Sequence, residues 1–305
     1  MSAKVNVLLS TYNGEKFLRE QLDSILAQSY SYRYVVIHIR DDGSTDSTPE
    51  ILRQYAEKYP GIKVEYGHNL GVVQSFFTLL RNANDSCQYF AFCDQDDVWL
   101  ENKVKDAVGM LEQSEDGIPL LYCSRLEYVD ANLNHLGYSR IPKRLGFGNT
   151  LVENVATGCT ILINREAREI TLDNIPDRLI MHDWWILLVV MAFGKVIFDN
   201  RVNIRYRQHG GNVVGGTANQ LQHFLQRLGR FLSNGNNFRP SDQVREFSKL
   251  YGSLLEKEKE EVVKELLVSK QNMWFRVKFA FTLKVWRQSL IDTLILRILV
   301  ILGRC

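Results

Sequence analysis

The chain has 305 residues, 45% hydrophobic and 24% charged, with 11% aromatics and 6 prolines. That is globular composition, which excludes disorder, collagen-like repeats and a disulfide scaffold, and the length is ample for a sizeable core. A net charge of +2 is too near neutral to support nucleic-acid binding by the whole chain.

In chain order, Val5–Leu9 is a short apolar run, and Phe17, Leu22, Ile25 and Leu26 follow at helical spacing. Tyr34–Ile39 is rich in branched residues and predicts a strand. Ser47-Thr48-Pro49-Glu50 then predicts a helix start, with Pro49 at a first helical position and Ser47 and Glu50 at capping-box spacing. Ile62–Tyr66 is a further strand, Val72, Phe76, Leu79 and Leu80 mark a helix, and Tyr89–Cys93 is a fourth strand. This β-α-β-α-β-α-β order predicts a mostly parallel sheet covered by helices on both faces. Residues 106–215 are less regular. Strands are expected at Leu120–Cys123, Thr160–Ile163, Lys195–Phe198 and Val202–Tyr206, with an apolar helix after Asp183. From about 216 onward the pattern is helical and charged, which divides the chain into a domain over 1–215 (halves 1–105 and 106–215) and a helical region over 216–305.

Ligands of such sheets gather beyond the carboxyl ends of the strands. Three strand ends are polar there: Ser10-Thr11-Tyr12-Asn13-Gly14, Asp41-Asp42-Gly43-Ser44 and Asp94-Gln95-Asp96-Asp97. One alone would make a turn or cap a helix. Three on one rim point to a polar ligand. The crowded carboxylates are the sharpest signal, since two like charges ~4 Å apart repel by ~4 kcal/mol at an effective dielectric of ~20. A hard divalent cation offsets that repulsion and also suits a diphosphate. Val98 and Trp99 stand where an EF-hand needs a ligand and a glycine, so that loop is excluded. Asp41 and Asp42 are suited either to a nucleobase or ribose or to a turn with Gly43.

No G-x-G-x-x-G follows the first strand and no G-x-x-x-x-G-K-[ST] occurs, which excludes a dinucleotide fingerprint and a P-loop. Gly210-Gly211-Asn212-Val213-Val214-Gly215-Gly216 matches neither and reads as a mobile loop. His182-Asp183-Trp184-Trp185 opens an apolar helix, where Asp183 either caps it or acts as a general base in a partly apolar pocket. His209, beside Arg205 and Arg207, is either a structural hydrogen-bonding group or a metal or phosphate contact. The cysteines at 87, 93, 123, 159 and 305 have neither CxxC nor Cys/His ligand spacing, the pattern of a reduced cytosolic protein without zinc or redox chemistry.

Together, Val5–Gly14, Asp41–Asp46, Asp94–Asp97, His182-Asp183-Trp184 and Tyr206–Gly210 resemble the family-two inverting glycosyltransferases. The likeness is strongest to rhamnosyltransferase-type enzymes of bacterial cell-surface polysaccharide synthesis. The resemblance covers about residues 4–215 and implies a GT-A fold, an α/β domain around a mixed, mostly parallel sheet. It also implies the residue roles. Ser10, Thr11 and Asp42 would hold the base, with Asp41 beside them, and Asp94 would contact ribose or donor sugar. Asp96 would bind Mg²⁺ or Mn²⁺, His209 would complete the metal or diphosphate site, and Asp183 would be the base. The family often has Glu-Asp where this chain has His182-Asp183. The implied reaction moves a sugar from dTDP-rhamnose or a UDP-hexose to a hydroxyl of a polysaccharide precursor or glycoprotein glycan. A sugar-nucleotide nucleotidyltransferase would need a basic phosphate loop that Ser10–Gly14 does not supply. A non-catalytic nucleotide-sugar-binding scaffold is opposed by the intact Asp96, Asp183 and His209.

The tail lies outside the resemblance. Residues 272–305 hold six Lys and Arg against Asp292, giving +5, so the preceding 271 residues sum to −3. Trp274–Phe281 and Lys284–Arg287 interleave aromatics with basic residues, and on a helix Arg276 and Arg287 would share a face but Lys278 would not, so the basic stripe is imperfect. Three partners suit it: an anionic membrane surface carrying lipid-linked acceptors, the body of the chain, or a second copy in a homo-oligomer. No apolar run reaches the ~18–20 residues of a spanning helix, and the N-terminus lacks a signal-peptide core. The expected location is the cytoplasm, at the inner face of the cell membrane if the tail's partner is the membrane.

Overall fold

The computed structural model describes residues 3–208, 239–268, 272–282 and 284–303. They fall into two compact units that interleave along the chain. The first holds 3–141, 156–172 and 195–208; the second holds 142–155, 173–194 and the described residues from 239 onward.

The first unit is built on strands β1 (Val5–Thr11), β2 (Val35–Asp41), β3 (Ile62–Tyr66), β4 (Tyr89–Cys93) and β5 (Val98–Trp99). To these the chain adds β6 (Leu120–Val129), β7 (His135–Tyr138), β8 (Leu162–Asn164) and β9 (Lys195–Arg207). They form one nine-stranded sheet in the order β3-β2-β1-β4-β8-β6-β9-β5, with β7 on β6. Pairs β1/β2, β2/β3, β1/β4 and β6/β9 are parallel; β8, β5 and β7 join by antiparallel pairing. The parallel half is covered by α1 (Leu18–Leu26), α2 (Thr48–Lys58) and α3 (Val72–Arg81), and α4 (Lys103–Leu111) and α6 (Arg165–Asp173) follow later. Strands β1 and β2 are buried almost end to end, which explains why each reads as a continuous apolar run rather than an alternating one. Helix α1 buries Leu18, Gln21, Leu22 and Ile25, a single stripe at helical period.

The chain runs from β1 outward to β2 and β3, then returns to lay β4 on the other side of β1. That reversal, at β1 and β4, is a topological switch point, and open α/β sheets bind their ligands in the crevice outside the carboxyl ends of the strands at such a point.

Several local expectations change in the structure. Ser47 makes no side-chain cap on α2; Asp46 Oδ1 accepts from the Thr48 N–H at 2.9 Å instead. Glu15 accepts from the Ser47 N–H at 2.9 Å, so a tertiary partner replaces the capping box. The two strands expected over 195–206 are one strand, β9, whose pairing with β6 shifts register after Ser124. The register shift accommodates Asn200 and Arg201, which look like a break in sequence.

The second unit contains α5 (Phe147–Thr150), α7 (His182–Phe193), α8 (Pro240–Tyr251), α9 (Lys257–Val268), α10 (Met273–Ala280) and α11 (Leu290–Ile301). Helix α7 is apolar on all sides and largely buried. Its Trp185 packs edge-on against Phe247 of α8, which stacks on Tyr251 at 5.4 Å. Lys259 donates to the Ala192 carbonyl at 2.6 Å, a cation at the negative end of α7.

Candidate active site

The rim at the switch point is assembled by side chains that bind the strand ends to one another. Gln95 Oε1 accepts from the Thr11 hydroxyl at 2.6 Å and from the Tyr12 N–H at 2.8 Å, and Gln95 Nε2 donates to the Tyr12 carbonyl at 3.2 Å. The glutamine thus extends the β1/β4 pairing past the last strand residue. Gly14 stands close against this clasp, and a Cβ there would lie 2.4 Å from Gln95 Oε1 and 2.8 Å from Thr11 Oγ1, so those side-chain ends would have to shift. Asn13, in the left-handed region at φ 49°, accepts from the Thr45 N–H at 2.8 Å and donates its own N–H to Ser44 Oγ at 2.8 Å. Gly14 N–H donates to Thr48 Oγ1 at 2.8 Å. The loops after β1 and β2 are therefore locked together.

The expected donor-side residues occupy this rim. Ser10 pairs with Ser75 of α3 at 2.7 Å. Asp41 is buried and accepts from the Ser44 hydroxyl and its N–H. Asp42, equally buried, is paired with Arg40 and accepts from the N–H groups of Leu70 and Gly71 at 2.9 Å each. Its carboxylate thus sits at the N-terminus of α3, where the helix dipole favours negative charge.

The turn after β4 divides its acids. Asp94 and Asp96 are half-buried, whereas Asp97 is fully buried. Asp97 Oδ1 accepts from the Arg207 N–H at 3.0 Å. The buried Arg207 donates Nε to the Asp96 carbonyl at 2.8 Å and Nη1 to the Ala131 carbonyl at 2.6 Å. It also pairs with Glu20, and its guanidinium lies 4.3 Å from the Phe17 ring centre. One side chain from the end of β9 thereby holds the backbone that presents Asp94 and Asp96. Burial, reinforced by the carboxylates of Asp96 and Asp94, pushes the Asp97 carboxyl well above the usual range. Below the turn, Lys103 of α4 is buried with its ammonium 4.4 Å from the Trp99 ring centre. Burial lowers its pKa to about 8 against the opposing pull of Cys159, Cys93 and Asp97.

Hard divalent cations take oxygen donors, so the half-buried Asp94 and Asp96 fit Mg²⁺ or Mn²⁺. Asp97 does not share that exposure. Among the described residues, the ligating atoms of Asp94, Asp97 and Cys159 lie within 4.8 Å of one another. A thiol in that group is a soft donor and suits a hard cation poorly. His209 and the glycine-rich 210–216 lie outside the described residues. Asp183 belongs to the second unit, in the first turn of α7, and is 8% exposed. Its Oδ1 accepts from the Trp184 N–H at 2.6 Å, and Trp184 Nε1 donates to the Thr150 carbonyl at 2.7 Å, which fixes the turn. The preceding His182 is buried, and burial lowers its pKa to about 3, so it is a neutral imidazole.

Residues 6–170 match the family model Glycosyl transferase family 2, which is more than half of the chain. The chain belongs to glycosyl transferase family 2. It is 27% identical over 223 residues to the dTDP-rhamnosyl transferase RfbG of Shigella flexneri, covering 68% of this chain and 73% of that protein. It is 26% identical over 238 residues to an uncharacterized glycosyltransferase of Rickettsia typhi, covering 76% of this chain and 72% of that one. Among solved structures, S. aureus TarS 1-349 in complex with UDP-GlcNAc superposes with a TM-score of 0.60 at 16% identity, over 98% of this chain and 91% of that one. The mannosyltransferase PcManGT of Pyrobaculum calidifontis, in complex with GDP-Man and Mn²⁺, gives 0.58 at 18% identity, over 90% and 72%. These likenesses establish the GT-A fold, and family membership makes the chain a glycosyltransferase.

Gln95, Arg207, Lys103 and Arg40 are the site residues that the sequence reading left without roles. Gln95 and Arg207 stand inside the motifs that carried the resemblance, so position was their signal. Lys103 has no local signal, because only the sheet brings it beneath the turn.

Proposed function

We propose that this glycosyltransferase is inverting and metal-dependent, and that it moves a sugar from a nucleotide-diphosphate donor to a hydroxyl of a cell-surface glycan precursor or glycoprotein glycan. dTDP-rhamnose is the first donor to test, on the likeness to RfbG, with UDP-hexoses next. The observation that carries the reading is the locked rim at the switch point, with hydroxyls on β1, carboxylates after β2 and the Asp94/Asp96 turn after β4.

In this reading Ser10, Thr11, Asp41 and Asp42 form the nucleoside side of the crevice, and Asp94 faces ribose or donor sugar. Asp42, already engaged by Arg40 and α3, orients the loop as much as it binds. Asp96, with His209, holds a divalent cation, which when bound offsets the charge developing on the departing diphosphate. Asp183 accepts the proton of the acceptor hydroxyl as its oxygen attacks the anomeric carbon from the face opposite the diphosphate. One carbon–oxygen bond forms and the bond to the diphosphate breaks, so configuration inverts once and no enzyme nucleophile is needed. The neutral His182 beside Asp183 adds no cation to hold the carboxylate ionised.

The test is nucleotide-diphosphate release from dTDP- and UDP-sugars with Mg²⁺, Mn²⁺ or EDTA, alongside binding of the same donors. Metal-dependent turnover of one donor is expected. Absence of binding to every donor with metal present overturns the reading.

A further inference from the structure

The basic, aromatic tail does not form one helix. It breaks into α10 and α11, and the connection between them is tied to the second unit. Gln288 Nε2 donates to Arg144 O and Asn149 Oδ1 at 2.8 Å each, and Arg144 stacks 3.9 Å from the Trp286 ring centre. Arg287 pairs with Glu153, and Lys284 pairs with Glu265 at 2.7 Å. Arg276 and Arg287 therefore share no helical face. At the far end, Gly303 lies against the Arg276 guanidinium, so α11 packs back on α10.

What this packing leaves outward is apolar. Helix α11 buries Leu296, Leu299 and Val300, while Leu290, Leu294 and Ile298 recur every four residues on the exposed side. Leu290 is 89% exposed, Ile291 68%, Trp274 of α10 65% and Phe281 75%. Single exposed apolar side chains are ordinary, but a cluster on two packed helices marks an interaction surface. The charge on these two helices is net positive, with Arg276, Lys278 and Arg297 against one acid, Asp292. Arg276, Lys278 and Arg297 make no ion pair with an acid among the described residues, and Lys278 lies 5.5 Å from the Trp274 ring centre. With 12 residues, α11 is about 18 Å long, well short of the ~30 Å hydrocarbon core. Among the described residues no helix is long and apolar enough to cross a membrane.

We propose that the outward face of α10 and α11 is an interfacial docking surface for an anionic lipid bilayer, lying in the membrane plane without crossing it. Apolar side chains inserted below basic ones match a layer of acyl chains beneath anionic headgroups. A second copy matches less well, because a face of net positive charge would be set against a face of the same net charge. The surface is independent of the sugar-transfer reading and is measured without donor or acceptor.

The test is co-sedimentation of the full chain with phosphatidylcholine vesicles, with and without phosphatidylglycerol. The protein is expected to pellet with anionic vesicles. Leu294→Glu/Ile298→Glu should lower that partition by about tenfold or more, since both side chains would sit among acyl chains. Lys278→Glu should lower it by about tenfold on anionic vesicles and little on neutral ones. Both variants alter exposed positions, so unchanged circular dichroism and melting are expected and show that the fold is intact. A full chain that stays in the supernatant with anionic vesicles overturns the proposal. So does a folded double variant that pellets like the wild type. A dimer in sedimentation velocity that Leu294→Glu/Ile298→Glu splits, without vesicle binding, assigns the face to a second copy instead.

Discussion

The rim of the first unit and the tail of the second treat their side chains in opposite ways. On the rim the apolar residues of β1, β2 and β4 are buried, and the polar groups at the strand ends are joined by Gln95, Asn13, Asp46 and Arg40. In the tail the polar groups hold the connection between α10 and α11, while Leu290, Ile291 and Phe281 stand in solvent. The difference teaches where each region meets its partner. The hydrogen bonds among the rim's own side chains fix its geometry without a ligand, which suits the small polar donor of the proposed function. The tail is fixed to the unit on one side and leaves apolar area on the other.

The largest effects should come from residues whose chemistry is needed, with little change in fold. Asp183→Asn should lower transfer by roughly 10²–10⁴-fold while donor binding persists, the range for loss of a general base. Near-wild-type transfer would remove Asp183 from that role. Asp96→Ala should cost about 10²–10³-fold in turnover, as for loss of one electrostatic stabiliser, and should abolish the Mn²⁺ dependence of donor affinity. Isothermal titration with and without Mn²⁺ decides this: an unchanged metal dependence refutes the assignment.

Next come effects on stability. His182 titrates at about 3 in the folded chain, below the usual 6.5, because its cation is excluded by burial. The group's stabilising contribution is complete above pH 6.5 and is lost as pH falls toward 3, by up to about 5 kcal/mol by linkage. His182→Gln should flatten the pH dependence of denaturant midpoints between pH 6.5 and 4; an unchanged slope would show that other groups carry it. Smallest are two glycine substitutions that separate the regions. A Cβ on Gly148 would meet the Lys284 carbonyl oxygen at 1.8 Å, so Gly148→Ala should destabilise by about 3 kcal/mol and loosen the tail connection. Gly14→Ala meets the flexible end of Gln95 and should cost about 1–2 kcal/mol, with a rise in donor Kd. If both variants impair donor binding and melting equally, the contrast between rim and tail fails.

Much of this molecule was legible without coordinates. The apolar runs of β1, β2 and β4, and the helical spacing of α1 and α3, follow from strand and helix periods that are properties of adjacent residues. The acidic and hydroxylic strand ends follow too, because a parallel α/β sheet sets all those ends on one rim. Family motifs add the order of the roles but not the contacts that hold them.

What only the tertiary structure decided depends on residues far apart in the chain. Asp94, Asp96 and Asp97 are near neighbours in sequence, yet the third turns inward because Arg207, more than a hundred residues later, offers its N–H there. Helix α2 starts with Asp46 accepting from the Thr48 N–H and Glu15 from the Ser47 N–H rather than with a capping box, since β1's loop approaches at that point. Cys159 comes within ligand reach of Asp94 and Asp97 although no spacing in the chain relates them. The tail's composition announced an unusual surface, but which of its apolar residues face outward was set by the packing of α11 on α10 and by Gln288. Periodicity fixes which side chains share a face; the choice of face for the core depends on what other segments already occupy.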